Sequence, residues 1–155
     1  MTPSPPVART IVVPTDFSPT ATHAVDYGAD LARRLGVRLA LLHAVEPLGV
    51  VLPQVLADAQ MVGATTTLEQ LVEDLKVRGV TADFVVRQGP AAREIIDLAQ
   101  ECNAEMIVMG THGRSGLSRL LVGSVAEHVL RHAACPVLPD VPAYKDWEHG
   151  KGCLK

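Results

Sequence analysis

Five short runs rich in apolar and β-branched residues recur along this 155-residue chain, and segments with helical spacing separate them. The runs fall at residues 10–13, 37–45, 81–87, 105–109 and 136–138, with no two-residue turn of the hairpin type between any pair. Strands that alternate with helices bury both sheet faces, so this pattern implies an α/β fold: an open parallel sheet with helices on both faces. Right-handed crossovers narrow the topologies further, but the pattern by itself leaves the strand order open.

The punctuation between the runs supports this alternation. Pro14 stops the first strand, Ser18 stands as N-cap and Pro19 takes the first helical position. A helix over 19–35 then lines up Ala21, Ala24, Val25, Gly28, Leu31, Ala32 and Leu35, and its small residues let it sit close to a sheet. Gly36 ends it. The least legible part follows the second strand. Residues 53–63 have the makings of a helical turn or two, and Thr67 with Gln70 forms a capping box that opens a helix up to Arg78, stopped by Gly79. Gly89 and Pro90 start a third helix, which buries Ala92, Ile95, Ile96, Ala99 and Cys102. The last strand, 136–138, is expected to be short, because Pro139 cuts it off.

One stretch carries more chemistry than the others. Residues 106–127 read MIVMGTHGRSGLSRLLVGSVAE: a buried-type strand, a loop with Gly110, Gly113 and Gly116, then Gly123 and Ser124 before a helix. Free N–H groups and the helix dipole at such a helix start favour an anion, and a loop without Cβ atoms lets the backbone approach it. Ser124 with Glu127 also reads as a capping box, a device that any helix can use to begin.

The spacing Gly110, two residues, Gly113, nine residues, Gly123, Ser124 resembles the ATP-binding signature of the universal stress protein family. The stretches IVVPTDFS at 11–18, LLHAV at 41–45 and CPVL at 135–138 agree with it, so the resemblance covers nearly the whole chain. It implies an adenine nucleotide alpha-hydrolase-like sheet in the order 3-2-1-4-5, with the first and fourth strands adjacent where the winding reverses. Ligands of open α/β sheets bind at that crevice. It also implies a domain over 9–141, flanked by an N-terminal arm, 1–8, and a C-terminal tail, 142–155.

The same resemblance assigns roles to individual positions. Asp16, with Pro14 and Thr15, would meet the nucleoside, its carboxylate accepting from ribose hydroxyls or the adenine amine; without a ligand the same Asp could simply make an Asx turn. The backbone of Val45 would face the adenine edge, with Ala44 beside it and Met109 and Gly110 across the crevice. Gly113, Arg114, Gly123, Ser124 and Val125 would hold the phosphates, with His112 a further candidate contact whose direction the sequence leaves open. ATP is the expected ligand, with Mg²⁺ held through its phosphates. Aromatic residues make up only 3% of the chain, so an aliphatic slot is expected to hold the base. No Walker loop, no GxGxxG, no nucleophile elbow and no third ligand near His128 and His132 occurs, and nothing supplies a general base for fast phosphoryl transfer.

The expected role is therefore regulatory nucleotide binding by a homodimer, with at most slow ATP hydrolysis or autophosphorylation. A nucleotide-independent interaction module and a cyclic AMP binder are the alternatives; an adenylyltransferase would need an HxGH or SGG loop, and neither occurs. A net charge of −3 disfavours nucleic acid and membrane surfaces as partners. No run approaches membrane-spanning length, residues 1–8 lack the apolar core of a secretory signal, and a cytoplasmic location is expected. Cys102, Cys135 and Cys153, an odd set without a CxxC pair, do not suggest a disulfide framework.

Overall fold

The computed structural model describes residues 9–46, 54–111 and 123–140. Its elements are β1 (Thr10–Pro14), α1 (Pro19–Leu35), β2 (Arg38–Val45), α2 (Gln54–Val77), β3 (Ala82–Gln88), α3 (Ala91–Glu101), β4 (Met106–Gly110), α4 (Ser124–His132) and β5 (Val137–Asp140). All strand pairs are parallel, in the order β3-β2-β1-β4-β5. That is the order the family resemblance implied.

Strand periodicity builds two cores. Ile11 and Val13 of β1, with Leu39 and Leu41 of β2, face α1 and α2. Val12, Ala40 and Leu42 face the other way, toward α3 and α4. Each such Val, Ile or Leu contributes about 1.5–3 kcal/mol by leaving water, so β1, apolar on both faces, can only be a central strand. Gly28 shows why α1 needs small residues: a Cβ there would lie 2.7 Å from Val13 Cγ2. Leu35 departs from the expected stripe, being 43% exposed, and Ala29 is fully buried in the same face.

The helix ends follow the sequence in one case and not in two others. At α1, Ser18 Oγ accepts from Ala21 N at 3.2 Å, and Gly36 closes the helix at φ +66°. By contrast, α2 is one continuous helix, and Thr67 does not open it. The Thr67 hydroxyl donates to the Gly63 carbonyl one turn back, at 3.0 Å, so the expected capping box is absent. The helix propagates through that point because Leu68, Val72 and Leu75 anchor it in the core. At α4 the N-cap is Gly123, not Ser124, and Gly123 has no side chain to cap it with; Glu127 pairs with Arg131.

The last strand also differs from expectation. It runs on through Pro139 to Asp140, with Pro139 opposite Met109 and Asp140 opposite Gly110. The reason is direction. Ile107 N donates to the Pro136 carbonyl, so residues 136, 138 and 140 turn their backbone groups to β4. The Pro139 nitrogen then faces the outer edge, where a missing N–H costs the ladder nothing. Among the described residues no helix is long and apolar enough to cross a membrane.

Candidate functional site

The crevice at the C-terminal ends of β1, β2 and β4 opens into a cavity of about 790 Å³. That is within the usual range for small-molecule sites. Pro14, Thr15, Asp16, Ala44, Val45, Met109, Gly110, Gly123, Ser124 and Val125 all line it. These are every residue expected from the sequence that the structure describes; His112, Gly113 and Arg114 lie outside the described residues.

Asp16 sits in a tightly built corner. Its Oδ1 accepts from Ser18 N at 3.0 Å, so the Asx turn is real, and it coexists with a place on the cavity wall. Phe17 N donates to Thr15 Oγ1 at 3.1 Å, and Phe17 itself adopts φ +63°. A bulky side chain in the left-handed region is strained, and such strain persists only where neighbours enforce it. His43 is one of those neighbours. Its ring stacks on Phe17 with centroids 4.6 Å apart, and its Nδ1 donates to the Thr15 carbonyl at 2.8 Å. Both rings line the cavity, so an aromatic pair joins the aliphatic slot that composition alone suggested.

Gly110 is needed for a different reason than loop freedom. A Cβ there would come within 3.3 Å of the Thr20 backbone, so the bare Cα lets α1 begin against the end of β4. This approach brings the Asp16 corner beside β4. At Val45 the carbonyl already accepts from Gly89 N at 3.0 Å, which ties β2 to the turn before α3.

Three helices present their first turns to the cavity, through Ala21, Ala91 and the run Ser124, Val125 and Ala126. The start of α1 is served by Ser18. At α3 the Glu46 carboxylate accepts from Ala91 N at 2.9 Å. Only at α4, among the described residues, does no side chain serve the first turn. Ser124 is the first residue of that helix, so its hydroxyl is not spent as an N-cap. Among the described residues the cavity thus presents the α4 start, whose N-cap has no side chain, and the Asp16 carboxylate.

Several lining residues escape the sequence reading. Phe17 and His43 sit in quoted motifs, and their strand-end positions were the available signal. Gln60, Gly63, Ala64 and Thr67 come from α2, whose sequence gave no sign of facing a cavity. Among the described residues no group of His, Cys, Asp and Glu could hold a metal ion. His128 and His132 instead stack, with centroids 4.2 Å apart. Cys102 and Cys135 are free and half-buried, and burial pushes both thiols above their ordinary range.

Comparison with known proteins adds an independent line. The model of the Universal stress protein family matches residues 8–138. Universal stress protein MJ0531 of Methanocaldococcus jannaschii is 32% identical over 142 residues, 84% of this chain and 80% of the relative. A universal stress protein from Archaeoglobus fulgidus, solved in complex with dAMP, is 26% identical at a TM-score of 0.68, over 86% of this chain and 98% of that one. Another universal stress protein, solved in complex with cAMP, is 27% identical at a TM-score of 0.68, over 87% and 98%. With a family match over most of its length and a sheet in the order implied by its motifs, the chain belongs to the universal stress protein family.

Proposed function

We propose that this chain binds ATP in the crevice between β1 and β4 and acts as a homodimeric regulator in a stress response. The observation that carries the reading is the polarity of the cavity: a carboxylate at one corner and, at the other, a helix start whose N-cap, Gly123, has no side chain. A nucleotide has the complementary polarity, with hydroxyls and an amine on the nucleoside and anionic phosphates at its end. The base fits against Ala44, Val45 and Met109. An edge contact at Val45 uses the second lone pair of its carbonyl, since Gly89 takes the first. The phosphates take the N–H groups of α4 and the Ser124 hydroxyl; Gly113 and Arg114, outside the described residues, are further candidates from the sequence. Mg²⁺ is held through the phosphates. Turnover is slow at most.

Cyclic AMP is the second reading, favoured by the related protein solved with cAMP. Its cyclised phosphate reaches less far toward α4, so the two ligands differ in their dependence on that helix start.

Calorimetry with ATP, AMP and cyclic AMP, repeated on Gly123→Val, tests the site. A Cβ at Gly123 lies 3.2 Å from the Thr111 carbonyl, so the variant puts bulk where phosphate passes and presses on Thr111 too; its Tm is measured alongside. ATP is expected to lose the most affinity and cyclic AMP the least. Unchanged ATP affinity in a folded variant places the phosphates elsewhere. The homodimer has its own test. Pro139 removes an outward N–H from the β5 edge, so the contact is expected to rest on the side chains of Val137, Leu138 and Val141, of which Val141 lies outside the described residues. Sedimentation showing only monomer at micromolar concentration removes it.

A further inference from the structure

Seven glycines are described, and six have a local reason to be glycine. Gly28, Gly110 and Gly123 would press a Cβ against neighbouring atoms, at 2.7, 3.3 and 3.2 Å. Gly36 and Gly79 turn at φ +66° and +78° with open space around them, and at Gly89, φ +158°, a Cβ would collide with Glu94. Gly63 has neither reason. It lies inside α2, outside the positive-φ set, and among the described residues a Cβ there meets nothing within 4 Å.

A glycine inside a helix is destabilising relative to alanine, because it gives up more chain entropy and offers no side chain. No gain in packing offsets that loss here. What Gly63 faces is the cavity, where it lines the α2 wall with Gln60, Ala64 and Thr67. That wall belongs to the base end, since α2 lies against β2 and β3 and Val45 ends β2. Its polar side chains are Gln60 and Thr67, neither of them charged. Thr65, Thr66 and Thr67 spend their hydroxyls on the carbonyls of Met61, Val62 and Gly63. An uncharged surface with a gap at one Cα suits the face of a purine better than a charged group.

We infer that Gly63 is a specificity-determining residue: its missing side chain keeps the α2 wall open for the base of the bound nucleotide. This rests on the adenine-nucleotide reading above. A larger residue at position 63 narrows the base end and leaves the phosphate end untouched. Adenosine and AMP therefore lose affinity by the same factor, which sets position 63 apart from Gly123.

The test is calorimetry with adenosine and AMP on the wild-type chain, Gly63→Leu and Gly63→Ala, with Tm measured for each. Val62→Leu serves as control, being the preceding residue, 67% exposed and outside the cavity. Gly63→Leu is expected to weaken both ligands by roughly tenfold or more, the scale of a few methylenes in a pocket. Gly63→Ala is expected to raise Tm by about 2 °C. Val62→Leu is expected to bind as wild type does. Wild-type affinity in Gly63→Leu overturns the inference while leaving nucleotide binding intact. So does a loss confined to AMP, a lowered Tm in Gly63→Ala, or an equal loss in Val62→Leu. A wild-type chain that binds neither adenosine nor AMP overturns the nucleotide reading itself.

Discussion

The two strand-to-helix corners that flank the crevice are built from the same parts and end with opposite chemistry. At the β1–α1 corner, Ser18 Oγ meets Ala21 N and Asp16 Oδ1 meets Ser18 N, so the chain satisfies its own donors and places a carboxylate there. At the β4–α4 corner the N-cap is a glycine, and among the described residues no side chain meets the first turn. The α3 start resembles the first case, because Glu46 reaches Ala91 N. A helix N-terminus is therefore not an anion site by default. It becomes one when the chain leaves its N–H groups to something else. Capping, rather than the helix dipole alone, decides where each end of a ligand can lie.

This contrast is most exposed at Asp16. Asp16→Asn keeps an oxygen for the Ser18 turn but removes the charge, and adenosine and AMP are both expected to lose roughly 10- to 100-fold in affinity by calorimetry. A loss confined to AMP would put Asp16 at the wrong end of the ligand. Ser18→Ala comes next, and its effect is on stability. Loss of the cap is expected to cost about 1 kcal/mol, a fall of about 2–4 °C in Tm, with AMP affinity nearly unchanged.

Ser124→Ala probes the contrast from the other side. Its hydroxyl caps nothing, so Tm is expected to hold while AMP and ATP weaken by roughly three- to tenfold and adenosine does not. A Tm loss as large as that of Ser18→Ala would restore Ser124 as a cap and undo the distinction. The smallest effect is expected at Glu127→Ala. Its carboxylate pairs with exposed Arg131 at 2.9 Å instead of closing a capping box, so denaturant unfolding should shift by no more than about 0.5 kcal/mol.

These cases also show where a residue pattern is a sufficient guide. Ser18 and Pro19 are legible because a cap and its helix lie within three residues, and local geometry settles their bond. Thr67 and Gln70 carry the same local signal and do something else, because the buried face of α2 extends past them and the core holds the helix continuous. Ser124 with Glu127 fails in a similar way: Gly123 takes the cap position and Arg131 takes the glutamate. Pro139 reads as a stop, since a proline lacks a donor. The strand survives because that nitrogen faces away from β4, and facing is a property of register that no single residue reveals.

Local residue patterns were enough to set the layers of this protein. Short continuous apolar strand runs, helical stripes between them and stops at Pro14, Gly36 and Gly79 are local, and burying both sheet faces leaves a parallel sheet between helices. With the family resemblance, they also singled out the corners of the crevice. How that crevice is walled was settled only by packing in three dimensions. The Phe17–His43 stack, the Glu46 carboxylate at α3 and the bare Cα of Gly63 meet at one cavity from segments far apart in the chain. Such meetings depend on how helices pack across the ends of the strands, and side-chain packing of that range leaves no period to read in the sequence.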